Sequence, residues 1–333
     1  MSNSFGKKFK ITVFGESHGK CVGVVVEGCP IGQKIDLNLI QNDLNKRKPG
    51  QSELTSARHE DDIFELLSGV FNGKATGAPI TMIIKNKDTD SSGYEEIKNI
   101  PRPGHADYPA KIKYQNLNDY RGGGIFSGRI TAAFVLAGAL AKQVLKKRKI
   151  TVDAEIIQIG NSRKKQDIEK EIIKVKKSED SIGGLIECKI IGLPVGIGEP
   201  LFDSIESVLS HAIFSIPGVK GIEFGSGFKC VNMKGSQHND PIIIHNGKIM
   251  SKTNNAGGIL GGLSNGMPVI FRVAIKPTSS ISIIQKTVNL EKNKECNLKI
   301  RGRHDPCIAL RAAPVIEGMA AISILDFLLR ENL

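Results

Sequence analysis

The sequence predicts an α/β (α+β) fold built from two related halves. Three observations carry that prediction. β-branched stretches alternate with period two, as half-buried strands do. Ala/Leu/Val-rich stretches such as Ile130 to Val144 suit buried helices. A set of motifs also occurs twice, in the same order. Gly28-Cys29-Pro30-Ile31-Gly32, a helix and Pro49-Gly50 are matched by Gly192-Leu193-Pro194-Val195-Gly196, a helix and Pro217-Gly218. Asn72-Gly73 with the strand after Pro79 is matched by Asn265-Gly266 with the strand after Pro268. Arg121-Gly122 before an apolar helix is matched by Arg301-Gly302 before another. Strand–Gly–Pro–helix punctuation can recur by chance, but the common order argues against it. The expected organisation is a single domain over 1–333, with halves at roughly 1–145 and 180–330 and a basic connector at 146–180.

Phe9 to Phe14 reads as a strand ending in the polar turn Gly15-Glu16-Ser17-His18-Gly19, and Cys21 to Val26 as its neighbour. Asp36 is placed to cap a helix whose face carries Leu37, Ile40 and Leu44, which runs into Arg47 and Pro49-Gly50. A charged segment containing Arg58 and His59 follows, then a loop over 69–77 and a strand over Ile80 to Ile84. Residues 85–100 are polar and are expected to form a flexible loop.

The chemical centre is Arg102 to Arg129. It holds Arg102-Pro-Gly-His105-Ala-Asp107, then Arg121-Gly-Gly-Gly124-Ile-Phe-Ser-Gly-Arg129, and then the apolar helix. Consecutive glycines let backbone N–H groups approach an anion, and a helix start after them adds the positive end of its dipole. Arginine forks match phosphate and carboxylate oxygens, and His105 can move a proton near neutral pH. These residues point to a phosphate-bearing ligand with proton transfer beside it. Lys276-Pro277-Thr278-Ser279-Ser280 adds a cation and three hydroxyls after a strand, a second phosphate contact set.

A formal charge of +12, from 46 Lys+Arg against 34 Asp+Glu, admits a nucleic acid, a membrane surface or a small polyanion as partner. With Trp absent and Tyr at 4, base-stacking platforms are scarce, which disfavours a nucleic-acid module. The six cysteines show no Cys-x-x-Cys, consistent with reduced thiols and a cytoplasmic location. The apolar run after Arg129 is interrupted by Lys142 and is expected to fall short of a membrane span. His18, His105 and His304 lack the helical spacing of a metal site, so no metal is expected. Neither the nucleophile elbow nor the dinucleotide fingerprint occurs. Asp305, between His304 and Pro306, is either a salt-bridge partner or a carboxylate base.

Taken together, these motifs resemble chorismate synthases. The resemblance covers essentially the whole chain and rests on six motifs in one order. They are Gly15-Glu-Ser-His-Gly19, Arg102-Pro-Gly-His-Ala-Asp107, Arg121-Gly-Gly-Gly124, Ala256-Gly-Gly-Ile-Leu-Gly-Gly262, Lys276-Pro-Thr-Ser-Ser280 and Gly302-Arg-His-Asp-Pro-Cys307. It implies a βαβ sandwich with helices between two antiparallel sheets and an internal pseudo-two-fold repeat, assembled as a homotetramer. It implies a 1,4-anti elimination of phosphate from 5-enolpyruvylshikimate 3-phosphate, giving chorismate, that needs reduced FMN without net redox change. NADPH is the reductant the family suggests, with Arg47 as its contact; an FMN-dependent oxidoreductase is the competing class on this scaffold.

By the same resemblance His18 protonates near the leaving phosphate, His105 holds a proton on the reduced flavin, and Asp305 helps to remove the ring hydrogen. Arg47, Arg58, Arg102, Arg129 and Arg303 would meet the substrate. Flavin contacts would come from Gly124, Ile125, Phe126, Ser127, Asn255, Ala256, Gly261, Lys276, Pro277, Thr278, Ser279, Ser280 and Arg303. Two positions depart from the family pattern. Ile125-Phe126-Ser127-Gly128-Arg129 replaces the commoner Arg-Ser-Ser-Ala-Arg, and Glu53 stands where many members carry arginine. At the first, FMN is expected to be held by backbone N–H groups of the Gly122–Ser127 run and by the Ser127 hydroxyl.

Overall fold

Phe9, Ile11 and Val13 alternate with polar or small residues, so one face of the first long strand is apolar and must be covered. The cover and the rest of the architecture are seen in a computed structural model, which describes residues 3–50, 54–55, 61–87, 91–300, 302 and 304–331. The first half runs through β1 (Ser4–Phe5), β2 (Lys10–Gly15), β3 (Cys21–Glu27), α1 (Leu37–Arg47), β4 (Phe64–Ser68), the short pair β5 (Val70–Phe71) and β6 (Lys74–Ala75), and β7 (Ile80–Lys85). It continues with α2 (Ser92–Ile97), α3 (Asp107–Lys113) and α4 (Thr131–Lys147). The second runs through β8 (Thr151–Ile159), α5 (Lys165–Lys177), β9 (Gly184–Ile191), α6 (Ile205–Phe214), β10 (Val219–Phe224) and α7 (Gly235–His238). Hairpins β11 (Ile242–His245) with β12 (Lys248–Ser251) and β13 (Ile259–Leu260) with β14 (Leu263–Ser264) precede β15 (Val269–Ile275). A last hairpin, β16 (Gln285–Asn289) with β17 (Lys294–Leu298), leads to α8 (Ala309–Arg330).

Both large sheets are antiparallel. Their orders are β1-β2-β3-β7-β4 and β10-β15-β9-β8. Read from the other end, the second sheet is β8-β9-β15-β10, which is the β2-β3-β7-β4 order with β8 in the place of β2. α1 and α6 follow the second of these strands in each half, and α4 and α8 follow the last in sequence. The second half therefore starts at β8. Segment 146–180, expected as a connector, instead supplies an edge strand of the second sheet and α5. Lys165, Lys170, Lys174, Lys176 and Lys177 are exposed on α5, whose buried residue is Ile172.

The apolar faces of the two sheets look inward. Val22, Val24 and Val26 lie beside Ile80, Met82 and Ile84 on one, and Ile186, Cys188 and Ile190 beside Phe271 and Val273 on the other; all are buried. α4 and α8 fill the space between, α4 against β3 and α8 against β8. They meet where Gly138 faces Gly318: a Cβ on Gly138 would stand 2.2 Å from the Gly318 Cα, so only glycine admits this backbone contact. Gly128–Lys147 spans 20 residues, and like α8 it has the length and hydropathy of a membrane-crossing helix, contrary to the expected shortfall. Both are mostly buried inside the fold, so the apolar composition is that of a sandwiched core helix.

Two further expectations changed. Residues 69–77, expected as a loop, contain the β5–β6 hairpin, and the polar stretch 85–100 contains α2. Asp36 caps α1 as expected, accepting from the N–H groups of Asn38 (2.9 Å) and Leu39 (3.4 Å). Its own backbone is bracketed by the amide of Gln143, which ties α1 to α4.

The chain entering β2 is anchored from its far end. Asp326 of α8 is fully buried, and its Oδ1 accepts from the N–H groups of Lys7, Lys8 and Phe9 at 2.9, 2.6 and 2.9 Å. Its Oδ2 accepts from Nε of Arg330 at 3.0 Å. Three amides and a guanidinium satisfy one buried carboxylate. Asp326→Ala leaves all of them short of a partner, and we expect a loss of about 3–5 kcal/mol in guanidinium-induced unfolding. A loss below about 1 kcal/mol would show the clamp to be dispensable.

Candidate active site

Loops of both halves converge on a cavity of about 620 Å³. It gathers His18, His105 and Asp305, together with Arg47, Arg102, Arg129, Arg311, Lys220 and Lys276. Among the described residues, the guanidiniums and amines at its wall outnumber the carboxylates that pair with them, so the space favours an anion.

His18 is placed by its turn. Asn86, just after β7, donates from Nδ2 to the carbonyls of Glu16 (2.9 Å) and Gly19 (2.8 Å), and Ser17 N–H donates to Gly124 O at 3.2 Å. The buried imidazole has Nδ1 2.8 Å from Ser91 Oγ and meets the ring of Tyr94 edge-on at 5.2 Å. Its other edge lies on the triple glycine. A Cβ at Gly122 would fall 2.3 Å from His18 Cδ2, and one at Gly123 would fall 3.0 Å from His105 Cε1. All three glycines have positive φ (58, 84 and 53°), and a 3-10 turn over Gly128–Ile130 separates them from α4. The run therefore does not open the helix as expected. It is the floor against which both histidines pack.

His105, Arg102 and Asp107 form one unit. Arg102 grips Asp107 with Nε (2.7 Å) and Nη2 (2.8 Å), and Nδ1 of His105 lies 2.6 Å from Asp107 Oδ1. Burial pushes the Asp107 carboxyl up, but the hydrogen bonds and charges of Arg102 and His105 outweigh it and hold the group well below its usual 3.8. An ionised carboxylate only accepts, so Nδ1 of His105 carries the proton and Nε2 is the edge turned to the glycine floor.

A second unit holds the other two arginines. Asp62 is buried between Arg47 (Nη1 to Oδ2, 3.1 Å) and Arg129, whose Nη1 binds Oδ1. Desolvation alone would raise the Asp62 carboxyl; Arg47 and Arg129 together keep it low. Arg47 also donates from Nε to Thr131 Oγ1 (3.2 Å) and from Nη2 to Gly128 O (2.8 Å). Arg129 Nε reaches Asn86 Oδ1 at 3.0 Å, joining this unit to the His18 turn. Arg311 then links onward, donating from Nε to Arg47 O (2.8 Å) and from Nη1 to Asp305 Oδ2 (2.5 Å). Asp305, left open as salt-bridge partner or base, is thus an ion-paired carboxylate that lines the cavity.

Residues 276–280 line the cavity, yet their polar groups also knit its walls. Lys276 Nζ binds Gly104 O and lies 2.9 Å from Ser279 Oγ, which donates to the same carbonyl at 2.7 Å. Thr278 Oγ1 donates to Asp305 O (2.8 Å), and Ser280 Oγ accepts from Arg102 Nη1 (3.2 Å). Burial, with Lys220 nearby, lowers the Lys276 amine. Ile125, Phe126 and Ser127 also line the cavity, as does Pro277. The Ser127 hydroxyl accepts from Arg129 N–H at 3.2 Å, a capping role for the group expected to meet the flavin. Gly124 is buried in the floor.

Asn255, Ala256 and Gly261 do not line the cavity. Asp240 accepts from the N–H groups of Asn255 (2.8 Å) and Ala256 (2.9 Å), and Gly261 turns the β13–β14 hairpin. Arg58, Arg303, His59 and Glu53 lie outside the described residues. Site residues not singled out for function in the sequence include Asp62, Asn86, Ser91, Tyr94, Lys220 and Arg311. Asp107 was visible as the end of its motif, whereas Asp62 carries no local signal because its partners Arg47 and Arg129 lie 15 and 67 residues away.

The fold and the cavity place paired arginines, two imidazoles and a carboxylate around one space suited to an anionic ligand. A profile of the family described as "Chorismate synthase" matches residues 9–329. A chorismate synthase of Korarchaeum cryptofilum is 47% identical, covering 98% of this chain and 97% of its own length. One of Methanococcoides burtonii is 46% identical, over 99% of this chain and 96% of its own. A solved structure titled "Crystal Structure of Chorismate Synthase" superposes with a TM-score of 0.76 at 26% identity, covering 98% of this chain and 93% of that one. The chain belongs to the chorismate synthase family.

The low Asp107 carboxyl has a pH consequence. Its folded value lies below the unfolded one, so its stabilisation is complete above about pH 4 and is lost as pH falls below that. Asp107→Asn should lower the thermal midpoint at pH 6 and flatten its decline towards pH 3. An unchanged acid limb would show that the pair contributes nothing to stability.

Proposed function

We propose that the chain catalyses the 1,4-anti elimination of phosphate from 5-enolpyruvylshikimate 3-phosphate to give chorismate, as a carbon–oxygen lyase that requires reduced FMN. The observation that carries this is the convergence of His18, His105 and Asp305 on one cation-rich cavity. The substrate brings a phosphate and two carboxylates, and the paired guanidiniums of Arg102, Arg129 and Arg47 offer a preorganised positive wall. The lining fits a flavin as well. Ile125, Phe126, Ile216, Pro217 and Ile308 supply apolar surface for a ring system, and Lys276 and Lys220 supply charge for its phosphate. When bound, reduced FMN supplies electron density to the substrate transiently and takes it back.

The chain's own groups handle the protons. His18, steadied by Ser91 and Tyr94, donates near the leaving phosphate. His105, with Nδ1–H held on Asp107, turns Nε2 toward the cavity floor and holds a proton there. Arg311 fixes the rotation of the Asp305 carboxylate, which acts where the ring hydrogen departs. Apolar walls exclude water and strengthen each of these interactions. NADPH is the reductant proposed for the flavin. Arg47, assigned to it, is buried with Nε, Nη1 and Nη2 engaged by Thr131, Asp62 and Gly128, which disfavours a direct contact with the nicotinamide.

Anaerobic assays test this directly. Chorismate should form with chemically reduced FMN and not with oxidised FMN; full-rate formation without reduced flavin would overturn the proposal. His18→Ala, His105→Ala and Asp305→Asn should each lower turnover by ~10²–10⁴-fold with the fold intact. Wild-type turnover in all three would remove their roles.

We also propose a cytoplasmic homotetramer. In its support, Ile242, Ile244 and Ile249 share one face of the β11–β12 hairpin and are each at least 75% exposed. Light scattering should give four times the chain mass, and Ile244→Glu should lower it. A monomeric wild type would refute the assembly.

A further inference from the structure

We infer that Ser91 and Tyr94, at the start of α2, are positioning residues of this site: Ser91 fixes the imidazole of His18, and Tyr94 holds the two histidine units in one arrangement. The inference rests on the proposed roles of His18 and His105.

Ser91 occupies the N-cap position of α2, where a serine hydroxyl ordinarily accepts from an amide of the first turn. Here it makes no capping bond, and its Oγ lies on Nδ1 of His18. The helix has six residues, too few to be stable by itself, and it gives up its cap to the histidine. Its other contacts also point to the site. The ring of Tyr94 stands at 81° to the ring of His18, and the guanidinium carbon of Arg102 lies 5.8 Å from the Tyr94 centroid. Arg102 in turn grips the carboxylate that holds His105. Tyr94 thus touches one member of each histidine unit. It is also a wall shared with a second cavity of about 280 Å³ behind Arg102 and Asp107. Glu95 accepts from the Tyr120 hydroxyl, which pins α2 beside the glycine floor.

The proton on an imidazole sits on the nitrogen its neighbours select. With Ser91 on Nδ1 and Gly122 against the Cδ2–Nε2 edge, the position and tilt of the His18 ring are set from outside it. Removing the hydroxyl takes away that restraint while leaving the cavity wall in place.

The test uses the full chain labelled with ¹⁵N-histidine, with the His18 ring signals identified by their loss in His18→Asn. Ser91→Ala should shift the His18 ring ¹⁵N pattern and lower kcat about tenfold at unchanged KM, a fraction of what a positioned acid–base group supplies. Ser91→Thr should restore both. Tyr94→Phe, which keeps the ring, should behave as wild type, and Tyr94→Ala should disturb the His18 and His105 signals together. Unperturbed His18 signals in a folded Ser91→Ala protein would overturn the inference, as would a changed thermal midpoint with kcat and ring signals intact. The ring signals are read without turnover. A chain that fails to make chorismate would overturn the proposed function, while a His18 shift in Ser91→Ala would still support the positioning role.

Discussion

The structure depends on one electrostatic constraint: guanidiniums cannot be buried beneath a cavity wall unless carboxylates meet them there. The solution is a continuous chain of hydrogen bonds. From the His18 turn it passes through Asn86 to Arg129, Asp62 and Arg47. From Arg47 it passes through Arg311 to Asp305, and by the Thr278–Ser280 loop to Arg102, Asp107 and His105. His18, His105 and Asp305 are each a side branch or a member of this chain. Charge and position are therefore linked: the pairs that make burial of the arginines tolerable also orient the groups proposed to do the chemistry. The remaining positive charge at the wall faces the cavity.

Glycine enters this scheme in an unusual capacity. The run 122–124 looked like an anion cradle, because glycines before a helix often are. In the fold it is instead a gap where side chains are forbidden, so that two imidazoles reach the same floor. The same absence of a Cβ lets α4 and α8 touch at Gly138 and Gly318. The residue type was read correctly as a close-approach signal. What approaches could not be told, because a sequence does not say whether a ligand or a neighbouring side chain fills the space.

The fold was legible where the signals are local or repeated. Asp36 capped its helix, the alternating runs became strands, and the echoing motifs correspond to two sheets with matching strand orders. The site was legible where chemistry is concentrated in motifs: His18, His105, Asp305, Arg47, Arg102 and Arg129 share one cavity. It was illegible where a partner comes from elsewhere. Nothing near Asp62 in sequence announces two arginines, and nothing near Ser91 announces a histidine. The basic run at 146–180 misled because lysine density marks solvent exposure, and an exposed helix beside an edge strand has as much of it as a linker. Asn255, Ala256 and Gly261 lie in a Gly-rich loop held by Asp240, away from the cavity this chain forms by itself.

The grip of Asp326 on residues 7–9 has a consequence for biosynthesis. The amide that begins this contact and the carboxylate that ends it are 319 residues apart. On a ribosome the opening strand is made first, but its anchor in α8 and half of the helical layer that covers its sheet emerge last. Until then the first sheet has an incomplete cover and an untethered entry strand. The nascent chain must carry that apolar face through almost the whole of synthesis, the condition in which contacts of long sequence separation slow folding and favour capture by chaperones. Helix α8 is thus the closing element of the sheet that β2 belongs to.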